Sequence, residues 1–199
     1  MKILSQSFTK MNKTLLIVAH PSPHGFSHRL AKACAEALTA RGREAEILDL
    51  YAPENRQEFL SFESVREIPA DPSVGRMQQK ISESSELIFI FPVWWYGEPA
   101  ILKNFWDRNF TSGFAYRYEG SIFPKGLLKG KSVRIFATMD GPGFYHKLLW
   151  APIRMTWWIP RIKFCGMRLG SFTLFDKMRK RDEKYRQGML TKAVHVITR

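Results

Sequence analysis

The sequence predicts a doubly wound α/β fold, a five-stranded parallel sheet with helices on both faces. Short apolar runs of strand length alternate along the chain with longer stretches at helical spacing, the order that parallel sheets require. The run 14–19 is continuously apolar where a half-exposed strand would alternate, as expected when both faces of the sheet are covered. A chain of 199 residues suits one domain and buries roughly 70% of its unfolded surface without staples or metal.

Residues 1–13 hold only Ile3 and Leu4 as a short apolar pair, with no signal-peptide core, and are expected to form a flexible arm; residues 14–199 form the domain. Thr14-Leu15-Leu16-Ile17-Val18-Ala19 is the first strand. After a turn-rich loop, Ser27 is expected to cap a helix whose apolar face is Leu30, Cys34, Ala37 and Leu38, with Gly42 as its stop. Residues 45–50 make the second strand. Residues 51–73 hold Pro53, Pro69 and Pro72 without a clear period, an irregular excursion within the domain. Met77 and Ile81 mark a helix over 74–84, and 87–91 is the clearest strand of all. Pro99-Ala100 opens a helix carrying Ile101, Leu102, Phe105 and Trp106. Residues 133–138 make the fourth strand, and 145–156 a helix interrupted near Pro152 and ended before Pro160. Residues 169–175 make the fifth strand, followed over 180–197 by an amphipathic helix with Tyr185, Met189, Ala193 and Ile197 on one stripe. Five such units match the flavodoxin-like version of the doubly wound fold, whose ligands sit beyond the carboxyl ends of the strands. The loops after Ala19, Phe91 and Thr138 are therefore where a site is expected.

Composition narrows the function. Hydrophobic residues at 45% and charged residues at 25% describe an ordinary soluble globular protein, and no run approaches the ~20 apolar residues that span a bilayer. Cys34 and Cys165 lack zinc or redox spacing and sit in apolar company, as buried free thiols of a cytoplasmic protein do. The net charge of +13 fits nucleic acid, an anionic membrane face or a phosphate-bearing ligand. Nucleic acid has only the charge behind it, since no groove-reading motif is present. Much of the excess lies between Arg161 and Lys192, where a solvated basic helix is the plain explanation.

Three loops supply candidate site residues. The first, His20-Pro21-Ser22-Pro23-His24-Gly25-Phe26-Ser27-His28, runs into a helix amino terminus whose free N–H groups favour phosphate. Ser27 offers a hydroxyl and His20 a ring donor; alternatively both merely cap a helix and bridge a turn. Neither GxGxxG nor a Walker lysine is present, which argues against a Rossmann dinucleotide site and against phosphoryl transfer. The second, Pro92-Val93-Trp94-Trp95-Tyr96-Gly97-Glu98-Pro99, places consecutive aromatics at a strand exit, suited to a flat ligand or to a subunit interface. The third, Thr138-Met139-Asp140-Gly141-Pro142-Gly143-Phe144-Tyr145, is by itself only a tight loop.

The segment from Phe91 to Lys103, Phe-Pro-Val-Trp-Trp-Tyr-Gly-Glu-Pro-Ala-Ile-Leu-Lys, continuing to Phe114-Ala115-Tyr116-Arg117-Tyr118, resembles the NAD(P)H:quinone oxidoreductases related to DT-diaphorase. Ala19-His20-Pro21 with Phe26-Ser27 resembles that family's phosphate loop, and Phe164-Cys165-Gly166-Met167 its approach to the last strand. The resemblance runs from Thr14 through most of the chain. It implies a cytoplasmic flavodoxin-like homodimer with a tightly bound flavin, carrying two electrons from NAD(P)H to a quinone-like acceptor by ping-pong hydride transfer. By position, His20, Phe26 and Ser27 would hold the flavin phosphate. Pro92, Val93, Trp94, Trp95 and Tyr96 would wrap the ribityl chain and ring system. Thr138, Met139, Asp140, Gly141 and Tyr145 would face its pyrimidine side. Trp95, Tyr116 and Tyr118 would wall the acceptor pocket, the two tyrosines reaching the neighbouring subunit's site. Tyr145 and His146 are the candidate catalytic proton donors, although Ala151 stands where the relatives carry a histidine. Met139-Asp140 likewise replaces a Gly-Gly pair. The carboxyl-terminal extension of the larger relatives has no counterpart in this sequence, so FMN is expected over FAD.

Two other functions stay open. An FMN-dependent NAD(P)H reductase of azo or nitro compounds would use the same site. A regulatory flavoprotein subunit docked on a potassium-efflux-type transporter at the inner membrane face would use the basic carboxyl-terminal third and the apolar-basic run 150–164, although Trp157, Trp158 and Ile159 in that run are more simply explained as a dimer core. A one-electron carrier flavodoxin fits poorly with the charge of +13.

Overall fold

The computed structural model describes residues 12–64, 70–120, 122–144 and 152–199. The expected arm, apart from its last two residues, lies outside them, as do Tyr145 and His146. Strands β1 (Lys13–Val18), β2 (Glu44–Asp49) and β3 (Glu86–Pro92) alternate with helices α1 (Phe26–Thr39), α2 (Pro72–Glu83) and α3 (Ala100–Asn109). A two-stranded hairpin follows, β4 (Tyr116–Arg117) and β5 (Lys125–Gly126), then β6 (Ser132–Thr138). A short helix, Pro152–Trp157, runs into a π-helical turn, Trp158–Lys163, before β7 (Arg168–Phe175) and the carboxyl-terminal helix Glu183–Thr198. The main sheet has the order β2-β1-β3-β6-β7, and all its pairs are parallel. The predicted fold class is thus the observed one.

The period of two along each buried strand builds two cores. Leu15, Ile17, Leu87, Phe89, Phe91 and Ile135 face α2, α3 and the Pro152–Trp157 helix, where Met77, Ile81, Leu102, Phe105 and Trp157 meet them. Leu16, Val18, Ile88, Ile90 and Phe136 face α1 and the carboxyl-terminal helix, meeting Leu30, Cys34, Leu38, Met189, Ala193 and Ile197. Each such large apolar side chain contributes about 1.5–3 kcal/mol by burial. Both thiols are buried in these cores, and loss of hydration pushes each up to about 12, so neither is a nucleophile.

Four local expectations are corrected. Ser27 does not cap α1: Gly25, extended at φ −71° and ψ 168°, occupies that position, so Ser27 falls buried inside the first turn. Helix α2 starts two residues earlier than its apolar period shows, because Asp71 caps it through the Ser73 N–H at 2.7 Å with Pro72 as first residue. Pro160 does not end its helix. The chain continues past it in the wider register, with bonds from Phe164 N–H to the Ile159 carbonyl and from Met167 N–H to the Ile162 carbonyl. Tyr185 is not on the buried stripe of the last helix; it is exposed, with the Arg181 guanidinium 3.8 Å from its ring centroid.

Candidate functional site

From β1 the chain crosses to one side, to β2, and from β2 it crosses back past β1 to β3, so the strand order reverses between β1 and β3. Such a switch point opens a crevice at the carboxyl edge. The ends of the central strands are stitched together there. Ala19 N–H donates to the Ile90 carbonyl at 3.0 Å, and Val93 N–H to the Thr138 carbonyl at 2.7 Å.

On one side of the crevice stands the amino terminus of α1. The N–H groups of Phe26, Ser27 and His28 have no partner within the helix, and they carry its partial positive charge. His20 folds over this end. His20 Nδ1 lies 3.1 Å from the Ser22 nitrogen and 3.3 Å from the Ser22 carbonyl oxygen, which pins the ring against the 20–22 turn. Burial lowers the affinity of this ring for a second proton. A Cβ on Gly25 would lie 3.0 Å from the His20 ring, so glycine lets the cap close against it. Ser27 is buried, and Phe26 packs edge-on against Phe175, 6.1 Å between centroids.

On the other side, the aromatic segment forms a two-residue turn. Trp94 and Gly97 exchange both backbone hydrogen bonds at 2.9 Å, and Trp95 (φ 50°) and Tyr96 (φ 60°) occupy the left-handed region. That pattern belongs to turns that favour Asn-Gly, and a bulky residue there costs on the order of 1 kcal/mol or more. The turn leaves the Trp95 and Tyr96 N–H groups out of its own bonding. The Trp95 ring is fully exposed, and Trp94 and Tyr96 are about half so. Pro92 is buried as the last residue of β3, and Val93 packs on the core beneath the turn.

The third loop leans the opposite way. Thr138 is buried at the end of β6, but Met139, Asp140 and Gly141 are tied to the exit of β7. Met139 N–H donates to the Phe175 carbonyl, Lys177 N–H to the Gly141 carbonyl, and the Asp140 carboxylate receives Arg179 at 2.9 Å. Gly143 N–H donates to Asp176 at 2.8 Å, and this bond, with Arg181 nearby, holds the Asp176 carboxyl below the usual range. Tyr116 lies in β4 against Phe164, and Tyr118 is exposed beyond it. A separate groove of about 520 Å³ lies at the end of β7, lined by Phe175, Asp176, Tyr185 and Lys192 among others, with none of the candidate residues on its walls.

Residues 12–196 match the flavodoxin-like fold family. The chain belongs to this family. Its similarity to the NAD(P)H dehydrogenase [quinone] 1 of Cavia porcellus is 32% identity over 157 residues, 69% of this chain, and the chain spans 57% of that relative's length. A solved protein of Streptococcus mutans superposes at a TM-score of 0.81 with 28% identity, over 93% of this chain and 98% of the other. An FMN-dependent NADH-azoreductase of Bacillus anthracis, solved in complex with FMN, shares the fold at a TM-score of 0.65 with 17% identity, over 94% and 98% of the two chains.

Sequence reading did not single out two polar pairs near this crevice. His28 Nε2 lies 3.1 Å from Asp49 Oδ2, although their positions are 21 residues apart. Glu98 accepts from Arg161 at 2.5 Å and from the Trp157 indole at 3.3 Å. Burial alone would raise the Glu98 carboxyl, but the Arg161 guanidinium outweighs it and holds the group below its ordinary range. A glutamate between the aromatic turn and a helix-opening proline was the available signal; its partner, 63 residues away, has none in local pattern.

Proposed function

We propose that the chain is an NAD(P)H:quinone oxidoreductase that holds FMN across the carboxyl edge of its sheet. The observation that carries this reading is the pairing, over one switch-point crevice, of an uncapped helix terminus with a strained aromatic turn. The residues fit the group. The N–H groups at the start of α1, the Ser27 hydroxyl and the His20 ring suit a phosphate. The exposed Trp95 ring and the outward N–H groups of Trp95 and Tyr96 suit a flat heterocycle with acceptor atoms along one edge. The names of the Cavia porcellus relative and of the Bacillus anthracis fold neighbour support the chemistry and the cofactor respectively. FMN, when bound, supplies hydride transfer from NAD(P)H to the acceptor.

The chain's own part is placement. Residues 20–27 hold the phosphate, the 92–96 segment fixes the ring edge, and Thr138 closes the floor. Tyr116 and Tyr118 wall the acceptor pocket, in a homodimer that of the neighbouring subunit. Nicotinamide and acceptor use one slot in turn, so initial-rate lines at varied acceptor are expected to be parallel; intersecting lines without substrate inhibition contradict the shared slot. The decisive test is cofactor binding: the purified protein is expected to be yellow or to take up FMN at micromolar concentration. Ser27→Ala is expected to weaken that binding by about 1 kcal/mol, the scale of one lost hydrogen bond. Unchanged affinity in a titration of that variant places the phosphate elsewhere, and a protein that refuses FMN ends the reading.

A further inference from the structure

Two observations on the aromatic turn belong together. Its two central residues hold left-handed backbone angles that bulky side chains avoid, and such strain persists only where the surroundings fix it. One residue past the turn, Glu98 is almost wholly buried, and both of its oxygens are used. The arginine that meets it belongs to the π-helical turn Trp158–Lys163, 63 residues further along the chain. The Arg161 guanidinium lies 4.9 Å from the Trp157 ring centroid and 5.7 Å from that of Trp106. Trp157 in turn stacks on Phe91 of β3, 5.2 Å between centroids and 18° between planes. Strand, turn and π-helical segment are thus clamped through one buried ion pair, and Arg161 Nη1 is buried beside it with no partner among the described residues. A buried pair is an expensive way to join two apolar surfaces, which packed hydrocarbon joins as well or better. What hydrocarbon does not give is a fixed direction at the base of the turn.

We propose that Glu98 and Arg161 are positioning residues that hold the Trp94–Gly97 turn in its strained form, so that the Trp95 and Tyr96 N–H groups face the cofactor edge before the cofactor arrives. The proposal rests on the flavin reading for its purpose, while the clamp itself is a property of the cofactor-free chain. Removing the pair relaxes the turn toward ordinary backbone angles and turns those N–H groups away. Cofactor binding must then restore the strained form and is weakened accordingly.

The experiment compares the parent with Glu98→Gln, which keeps volume and loses charge, and with the double variant Glu98→Met/Arg161→Met, which removes both charges together. Amide hydrogen exchange at Trp94 and Gly97 in the cofactor-free protein reports turn closure, because these amides are bonded only within the turn. Titration with FMN reports the consequence. Both variants are expected to exchange these two amides at least tenfold faster than the parent, with β3 amides unchanged, and to bind FMN about tenfold more weakly. The double variant is expected to recover thermal stability without recovering either property, which a merely structural pair would not do. Turn exchange and FMN affinity within twofold of the parent in the double variant overturn the proposal. Faster turn exchange in a protein whose parent binds no FMN upholds the clamp and overturns the flavin reading. Failure of both variants to fold shows the pair to be a folding element and also overturns it.

Discussion

Replacing Trp157 with alanine is expected to remove about 3–5 kcal/mol of folding stability, the range for large aromatic truncation in a core. The indole is fully buried. It stacks on Phe91 and meets Phe89 at 4.8 Å and Trp106 at 5.3 Å between centroids, so four rings from β3, α3 and the Pro152–Trp157 helix share one packing unit. These elements cannot collapse onto the vacated space, because β3 is the central strand and is paired on both sides. The loss also takes the donor from one Glu98 oxygen and the ring from beneath Arg161, leaving a buried charge pair less well satisfied. Against the 5–15 kcal/mol that folded domains commonly hold, this is a large fraction. Urea unfolding of parent and variant at one protein concentration checks it. A loss below 1 kcal/mol refutes the core assignment and returns Trp157 to a subunit interface, where the sequence had placed it.

That misplacement shows where sequence reasoning ends. The runs at Leu15–Val18 and Leu87–Phe91 are legible because a strand covered on both faces has no polar side to conceal its boundaries. Their alternation with helices dictates the topology, and the topology dictates the crevice. From there the rings at 94–96 and the helix terminus at 26–28 stood out as candidates, and the structure leaves both exposed at that edge or free of helical partners. Trp157, Trp158 and Ile159 were not separable, since three consecutive large apolar residues carry no phase. In the structure Trp157 points into the chain's own core, while Trp158 and Ile159 remain 41% and 49% exposed. Pro160 misled for a related reason: a missing N–H ends a regular helix, and no local signal marks a shift to the wider register. The hairpin β4–β5 escaped notice because two-residue strands have no period to detect. Charged anchors such as Glu98–Arg161 and His28–Asp49 join positions that only the folded sheet brings together.

The hairpin, invisible to periodicity, supplies the other large expected effect. Gly126→Ala is expected to cost about 1–3 kcal/mol or more, as overpacking does, and to disturb the proposed acceptor wall selectively. A Cβ at this position would fall 2.2 Å from the Gly166 nitrogen and 2.3 Å from the Cys165 carbonyl carbon, where ordinary contacts begin at 3.4 Å. Both neighbours are backbone, so no rotamer relieves the clash; β5 or the turn at 163–166 must shift by about 1 Å or more. Gly166 faces it at φ 81° with its own open position 3.1 Å from the Gly126 carbonyl oxygen, so neither side has room to yield. The bond from Leu128 N–H to the Cys165 carbonyl, 2.9 Å, anchors the same junction and is strained with it. Because Gly126 pairs with Tyr116, the displacement passes to the Tyr116–Tyr118 segment. With β5 as the side that shifts, Arg161 and the aromatic turn keep their places, and α1 stays anchored on β1. The variant should therefore melt earlier and show a raised KM for the acceptor, while its affinity for FMN stays within twofold. An unchanged melting temperature shows that the two glycine backbones do not touch, and a matching loss of FMN affinity moves the tyrosine hairpin from the acceptor wall to the cofactor site itself.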